Sequence, residues 1–226
     1  MKIKLIWFLL SIPFFSFSQD LFVGAKGGLN VSNISTDPNN HAKIGLHAGA
    51  YVGYKFHEKM AASVEILYTQ KGSHHTGTPP VLPTFPPPPG WGWNVDGDMM
   101  IYIDYIDLPM LFHYYFSPEF SVHGGLTFGV PVRGIRSYRN PPIGDQDFLK
   151  EIHQSVISFP IGINYEIAQR LNFGIRGDLG LSPIGGNGHK NIVFMVSVGY
   201  TFFRKGTTLK VGKGGGNDKS SSKEKK

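Results

Sequence analysis

The chain has 226 residues with 29 Gly, 13% aromatic residues, no Cys and a formal net charge of +6. That length suits one β domain, and the missing cysteines exclude a disulfide framework and thiolate chemistry. A mean hydropathy close to zero excludes a helical membrane protein but not a membrane barrel, in which only alternate residues meet lipid.

The first eighteen residues read as a secretory signal. Lys2 and Lys4 form a positive start, Leu5 to Phe17 is an apolar core too short to span a bilayer, and Ser16 and Ser18 are the small residues a signal peptidase reads. Cleavage after Ser18 is expected, with residues 19–203 as one domain. No Cys follows, so no lipid anchor is expected.

From Asp20 a period of two recurs eight times. Leu21, Val23, Ala25, Leu29 and Val31 oppose Lys26 and Asn30 in the first segment, Asp20 to Val31. Lys43 to Phe56 alternates Ile44, Leu46, Ala48, Ala50, Val52, Tyr54 and Phe56 with glycine or polar residues, including Tyr51 and Lys55. Lys59 to Lys71 sets Met60, Ala62, Val64, Ile66 and Tyr68 against Ser63, Glu65, Thr69 and Lys71. Ile101 to Phe116 has bulk on both faces: Tyr102, Asp104, Ile106, Leu108, Met110, Phe112, Tyr114 and Phe116 on one, and Asp107 and His113 among large side chains on the other. Phe120 to Pro131, Ser155 to Ile167, Leu171 to Ser182 and Ile192 to Phe203 repeat the pattern. Each reads as a strand, and several are longer than the strands usual in water.

The connections alternate. Those at His57-Glu58, Ser117-Pro118 and Ala168-Gln169 are short, whereas Ser32 to Ala42, Gly72 to Met99, Arg133 to Gln154 and Pro183 to Lys190 are long. Short turns at one rim and long loops at the other predict an all-β, eight-stranded antiparallel up-and-down transmembrane barrel, with turns and both termini periplasmic and loops extracellular. Closure also removes the open edges of such long strands.

With the apolar face toward lipid, Tyr54, Phe56, Tyr114, Phe116, Tyr165, Tyr200 and Phe202 gather at the short-turn rim, as an aromatic girdle at the headgroup level would. Aromatics also favour strands in any setting, so clustering at one end carries the inference. The other face sends Lys26, Lys55, Glu65, Asp107, Glu166, Arg176 and Asp178 inward. Eight strands leave a lumen that side chains fill, so these charges are expected to pair with one another rather than line a solute path.

Four stretches, LFVGAKGGLNVSNI, IDYIDLPMLFHYYF, FPIGINYEI and VSVGYTFF, resemble the outer-membrane β-barrel family of Gram-negative bacteria that includes the PorT-like proteins. The most specific part is Asp107, Leu108, Pro109, Met110, Leu111. The resemblance implies a small barrel inserted by the outer-membrane assembly machinery, with no catalytic residues and no cofactor. The chain departs from it by continuing past Phe203.

That continuation, residues 204–226, holds eight Lys or Arg against Asp218 and Glu224, while residues 19–203 carry twelve basic and fourteen acidic residues. The positive charge therefore belongs to the ends. The segment reads as a disordered basic periplasmic tail, and no nucleic-acid surface is expected. Within residues 72–98, Pro86 lies in a proline run followed by Trp91 and Trp93, a stiff stretch that offers a contact surface for an envelope protein or glycan, or a freely varying loop. His74-His75 lacks a third ligand at metal spacing, so no metal is expected there. His113 and His123 fall opposite one another across the Ser117-Pro118 turn, facing inward. Acid-base candidates such as His153 with Asp145 or Asp147 are loop residues only, and no motif supports them. Three classes of function remain: a non-catalytic barrel acting through its loops in envelope integrity, adhesion or a secretion complex; a narrow passive pore; and a barrel enzyme.

Overall fold

The computed structural model describes residues 20–34, 40–77, 97–140, 144–152, 155–184 and 188–205. The expected signal (1–18), the contact residues Pro86, Trp91 and Trp93, His153, and the tail beyond Lys205 lie outside the described residues.

Among the described residues nine strands form one antiparallel sheet: β1 (Asp20–Ile34), β2 (Asn40–His57), β3 (Met60–Gly77), β4 (Gly97–Tyr115), β5 (Phe120–Asn140), β6 (Gly144–Asp147), β7 (Val156–Ile167), β8 (Leu171–Gly180) and β9 (Asn191–Lys205). Eight of them close a ring, with β1 pairing both β2 and β9, and β4 pairing β5. The fold is the expected eight-stranded up-and-down barrel. Among the described residues no helix is long and apolar enough to cross a membrane.

Backbone pairing runs further than the hydrophobic pattern does. β3 continues to Gly77 rather than ending at Lys71, and β5 continues to Asn140 rather than Pro131. Alternation of apolar residues fades where the strands leave lipid, but the ladder needs only N–H and C=O groups. Above Gly129, β5 exchanges its partner: Phe120 to Gly129 pair with β7, and Ile135 to Tyr138 pair with β6, a short strand outside the ring. The residues expected to form loop there include this strand and a 3-10 turn, Leu149–Glu151.

At the opposite rim the connections are tight. The β7–β8 turn closes through a hydrogen bond from the Arg170 N–H to the Ile167 carbonyl, with Ala168 and Gln169 both at positive φ (50° and 57°). This is the backbone a two-residue hairpin turn demands, here without the usual Asn or Gly. β9 ends at this rim beside the start of β1, Leu21 opposite Lys205.

Side chains alternate between two environments. Ile44, Leu46, Ile66, Met110, Phe112, Ile161 and Phe194 are among a continuous row of exposed apolar residues around the outer wall, while the residues between them are buried. The lumen packs because glycines make room for rings. A Cβ on Gly24 would stand 2.3 Å from the Tyr51 ring, and one on Gly53 would stand 2.0 Å from that of Phe22. Both rings occupy space that only a missing side chain leaves free.

Candidate functional site

The lumen holds the buried chemistry, and its register stacks that chemistry in levels. At the short-turn rim Phe22, Ala61 and Tyr115 form a small apolar collar with Tyr51 against it. Tyr51 Oη hydrogen-bonds Thr201 Oγ1 at 2.8 Å and accepts from Asn172 Nδ2 at 2.9 Å. The Arg204 guanidinium donates to Glu166 at 2.6 Å and lies 5.6 Å from the Phe22 ring. Among the described residues Lys55, expected in the charge network, meets a ring: its ammonium stands 4.3 Å from the centre of the Tyr115 ring, within cation–π reach.

Above this, His113 and His123 face each other on neighbouring strands, their ring centres 5.3 Å apart, with His113 Nε2 bonded to Ser63 Oγ at 2.7 Å. Among the described residues no three His, Cys, Asp or Glu converge as metal ligands. The next level is the densest in charge. Glu65 accepts Lys26 at 2.6 Å and Arg176 at 2.8 Å, and Arg176 Nε stands 3.3 Å from Asp178. His47 Nε2 meets Ser197 Oγ at 2.8 Å. Higher again, Lys71 pairs with Asp107 at 2.8 Å and lies over the Tyr105 ring.

Side chains this deep keep their charge only when partnered, since an isolated ion at such a site costs several kcal/mol. One carboxylate shared by two cations, with a second carboxylate on the far side of Arg176, supplies that partnering across strands 111 residues apart in sequence.

The long-loop end of the lumen is apolar, where the alternation pattern points to polar filling. Ile34, Ile103, Tyr105, Phe148, Ile152, Val156 and Ile184 form one buried cluster. Phe148 and Ile152 flank the 3-10 turn, which folds back over the barrel mouth through a hydrogen bond from the Phe148 N–H to the Gly134 carbonyl. Arg136 covers Phe148 at 4.1 Å and pairs with Glu151 at 2.8 Å. Packing at the lumen mouth removes these apolar side chains from water, and they sit there as a plug.

Three functional positions escaped the sequence. Lys71 was on the inward face yet not among the expected network; its bond to Asp107 depends on the β3–β4 register. Arg204, assigned to the tail, instead sits in the last strand and neutralises Glu166. Asp104, on the outward row, is 2% exposed: the Tyr68 hydroxyl donates to it at 2.7 Å and Arg133 stands 3.5 Å away. An acid interrupting an otherwise apolar row was the available signal.

The expected girdle residues lie on the outer wall at the short-turn rim. Phe116, Tyr165, Tyr200 and Phe202 are exposed, and Tyr114 packs edge-on against Phe116 with ring centres 5.1 Å apart. At the other rim, His74 bonds the Asp98 carboxylate and its ring lies tilted 6.1 Å from that of His41, while His75 Nδ1 bonds Asn40. Asp147 caps the 3-10 turn by accepting from the Leu149 N–H, and Asp145 is exposed.

Among the described residues an apolar outer wall, a closed antiparallel ladder and a lumen holding buried ion pairs define a membrane β-barrel. The model of the outer membrane protein beta-barrel domain family matches residues 17–185. The chain belongs to that family, and its place is the cell outer membrane of Gram-negative bacteria.

Among solved structures it is similar to Ail, the attachment invasion locus protein of Yersinia pestis, at 14% identity and a TM-score of 0.45, over 82% of this chain and 100% of that one. Neisserial surface protein A is similar at 11% identity and a TM-score of 0.45, over 80% and 97% of the two chains. OprG from Pseudomonas aeruginosa is similar at 12% and 0.42, over 82% and 97%. No curated protein matches the chain.

Proposed function

We propose that this protein is a sealed outer-membrane barrel that acts without catalysis, through the loops at its long-loop rim, in envelope integrity, in adhesion or as an accessory of a protein secretion complex. In this reading the short turns and both termini face the periplasm and the long loops face outward, as the difference in loop length implies. The resemblance to PorT-like proteins and a contact surface at residues 72–98, with Pro86, Trp91 and Trp93, belong to the same reading. So do the basic tail beyond the barrel and insertion by the outer-membrane assembly machinery.

The observation that carries it is the filling of the lumen. The cavity between the collar and the Glu65 level has a volume of about 50 Å³, bordered by Lys26, His113, His123, Glu166 and Arg176. That is room for a few waters. The apolar plug closes the column above it.

A narrow passive pore is the competing reading, favoured only by the polarity of that cavity. Planar-bilayer recording of the purified chain separates the two. We expect no stable conductance steps in wild type, and expect steps to emerge on double substitution Phe148→Ser and Ile152→Ser if the plug is the seal. Steady ion-selective conductance in wild type would overturn the sealed-barrel reading.

A further inference from the structure

Among the described residues the outer wall turns polar around Asp104, and the height of that change matters. On β4 and the residue after it the exposed row runs Ile106, Leu108, Met110, Phe112 and Phe116, with Tyr114 partly covered. Ten residues of tilted strand rise roughly 25 Å, the height of the lipid-facing band of such a barrel. Asp104, next in that row, therefore sits where the apolar band ends on the long-loop side.

Around it the surface is built from four strands. Tyr68 on β3 and Arg133 on β5 hold Asp104 in place. From β2, Lys43 reaches across Gly72: its Cδ lies 3.4 Å from where a Cβ on Gly72 would be, and its ammonium stands 4.2 Å from the centre of the Tyr102 ring. Gly72 has a φ of +147°, and its N–H and carbonyl are both bonded to Ser32 Oγ at 2.9 Å, so β3 keeps a smooth shelf under the lysine stem. The β2–β3 register shifts between Ala42 and His47, beside Lys43. Lys43 over Tyr102 and Arg133 beside Asp104 thus bring two cations to this rim against the one carboxylate that Arg133 meets. Arg133, 58% exposed and 3.5 Å from Asp104, has donors left for an anion.

We propose that this notch, Lys43, Tyr102 and Arg133 set on Asp104, binds the phosphate of a lipid in the leaflet at the long-loop rim. The chemistry fits: Arg gives a planar fork and Lys a point charge to phosphate oxygens, Tyr102 offers an amphipathic ring at the headgroup level, and the apolar row from Ile106 downward receives the acyl chains. Asp104 serves as a positioning residue that fixes Arg133. The proposal rests on the membrane placement above, which makes the leaflet the outer one and its phosphate that of a phosphorylated glycolipid.

The test uses the full chain in lipid nanodiscs with three probes: bisphosphorylated lipid A, the same lipid with its phosphates removed, and inorganic phosphate. Affinity for the phosphorylated lipid is expected to fall about fivefold in Lys43→Gln, about fivefold in Arg133→Gln and about thirtyfold in the double variant, with binding of the dephosphorylated lipid unchanged. Heat-modifiable migration on gels checks that each variant is folded, and either single variant decides the matter should the double fail. Equal affinity for the two lipids in wild type, or unchanged discrimination in the variants, would overturn the proposal. Inorganic phosphate binding as tightly as the lipid would overturn the lipid assignment. Orientation is read separately by labelling Asp145→Cys, in a chain with no other Cys, with a membrane-impermeant maleimide on intact cells. Failure to label would reject the outward long-loop rim while leaving the lipid result to be judged by itself.

Discussion

Outer wall and lumen are made from the same strands, one residue apart, and they obey different solvents. Glu65 and Ile66 are neighbours on β3. Glu65 is 5% exposed and held by Lys26 and Arg176, whereas Ile66 is 58% exposed. The wall tolerates exchange among apolar side chains because lipid conforms to them. In the lumen each charge is tied to a particular partner, so sequence freedom is low even though the residues are polar.

The sharpest break of that contrast is Glu65→Ala. It leaves Lys26 without the carboxylate it bonds and Arg176 with Asp178 and the Met195 sulfur. Removing one member of a buried ion pair costs about 3–5 kcal/mol, so unfolding by urea in lipid vesicles is expected to shift by that much. Ile66→Ala, one residue along, is expected to shift it far less. Equal effects at the two positions would mean that the lumen is too hydrated for the pairing to matter.

The wall is broken by the reverse substitution. Met110 lies in the middle of the outward β4 row, 42% exposed. Met110→Arg is expected to cost about 2–4 kcal/mol, the range for a cation at the bilayer midplane of a barrel, in the same unfolding measurement. Arg133, at the end of the band, is a native cation on the same wall. Its replacement by Gln is expected to change stability by under about 1 kcal/mol, since charge near the interface is tolerated. A flat response along the row would place the lipid boundary elsewhere.

The contrast also accounts for what the sequence revealed. Alternation is fixed by the pleat, so the inward assignment of Glu65, Asp107, Glu166, Arg176 and Asp178 and the outward assignment of the rim aromatics required no knowledge of neighbours. Pairing did require it. Arg176 meets Glu65 across the lumen through the stagger of the whole ring, which no local pattern encodes. Lys55 settling on Tyr115, and Arg204 serving as a lumen residue instead of tail, follow from that stagger too. The plug was hidden for a different reason: Phe148, Ile152 and Ile184 lie in irregular chain, where no period marks which way a side chain points.

A last expected effect, of the same small order as that of Arg133→Gln, concerns neither solvent and so calibrates the other two. Ala168 and Gln169 hold positive φ at the β7–β8 turn, a conformation that costs a side-chain-bearing residue about 1–2 kcal/mol relative to a right-handed one. Asn followed by Gly adopts it readily. Replacing both, Ala168→Asn with Gln169→Gly, is expected to raise stability by about 1 kcal/mol, the relief being offset in part by the freedom glycine adds to the unfolded chain. The turn lies beyond the Ile167–Leu171 pair, outside both the lipid band and the lumen, so conductance and lipid affinity should not change. A destabilised variant would show that side-chain contacts at the rim, rather than backbone geometry, hold the turn.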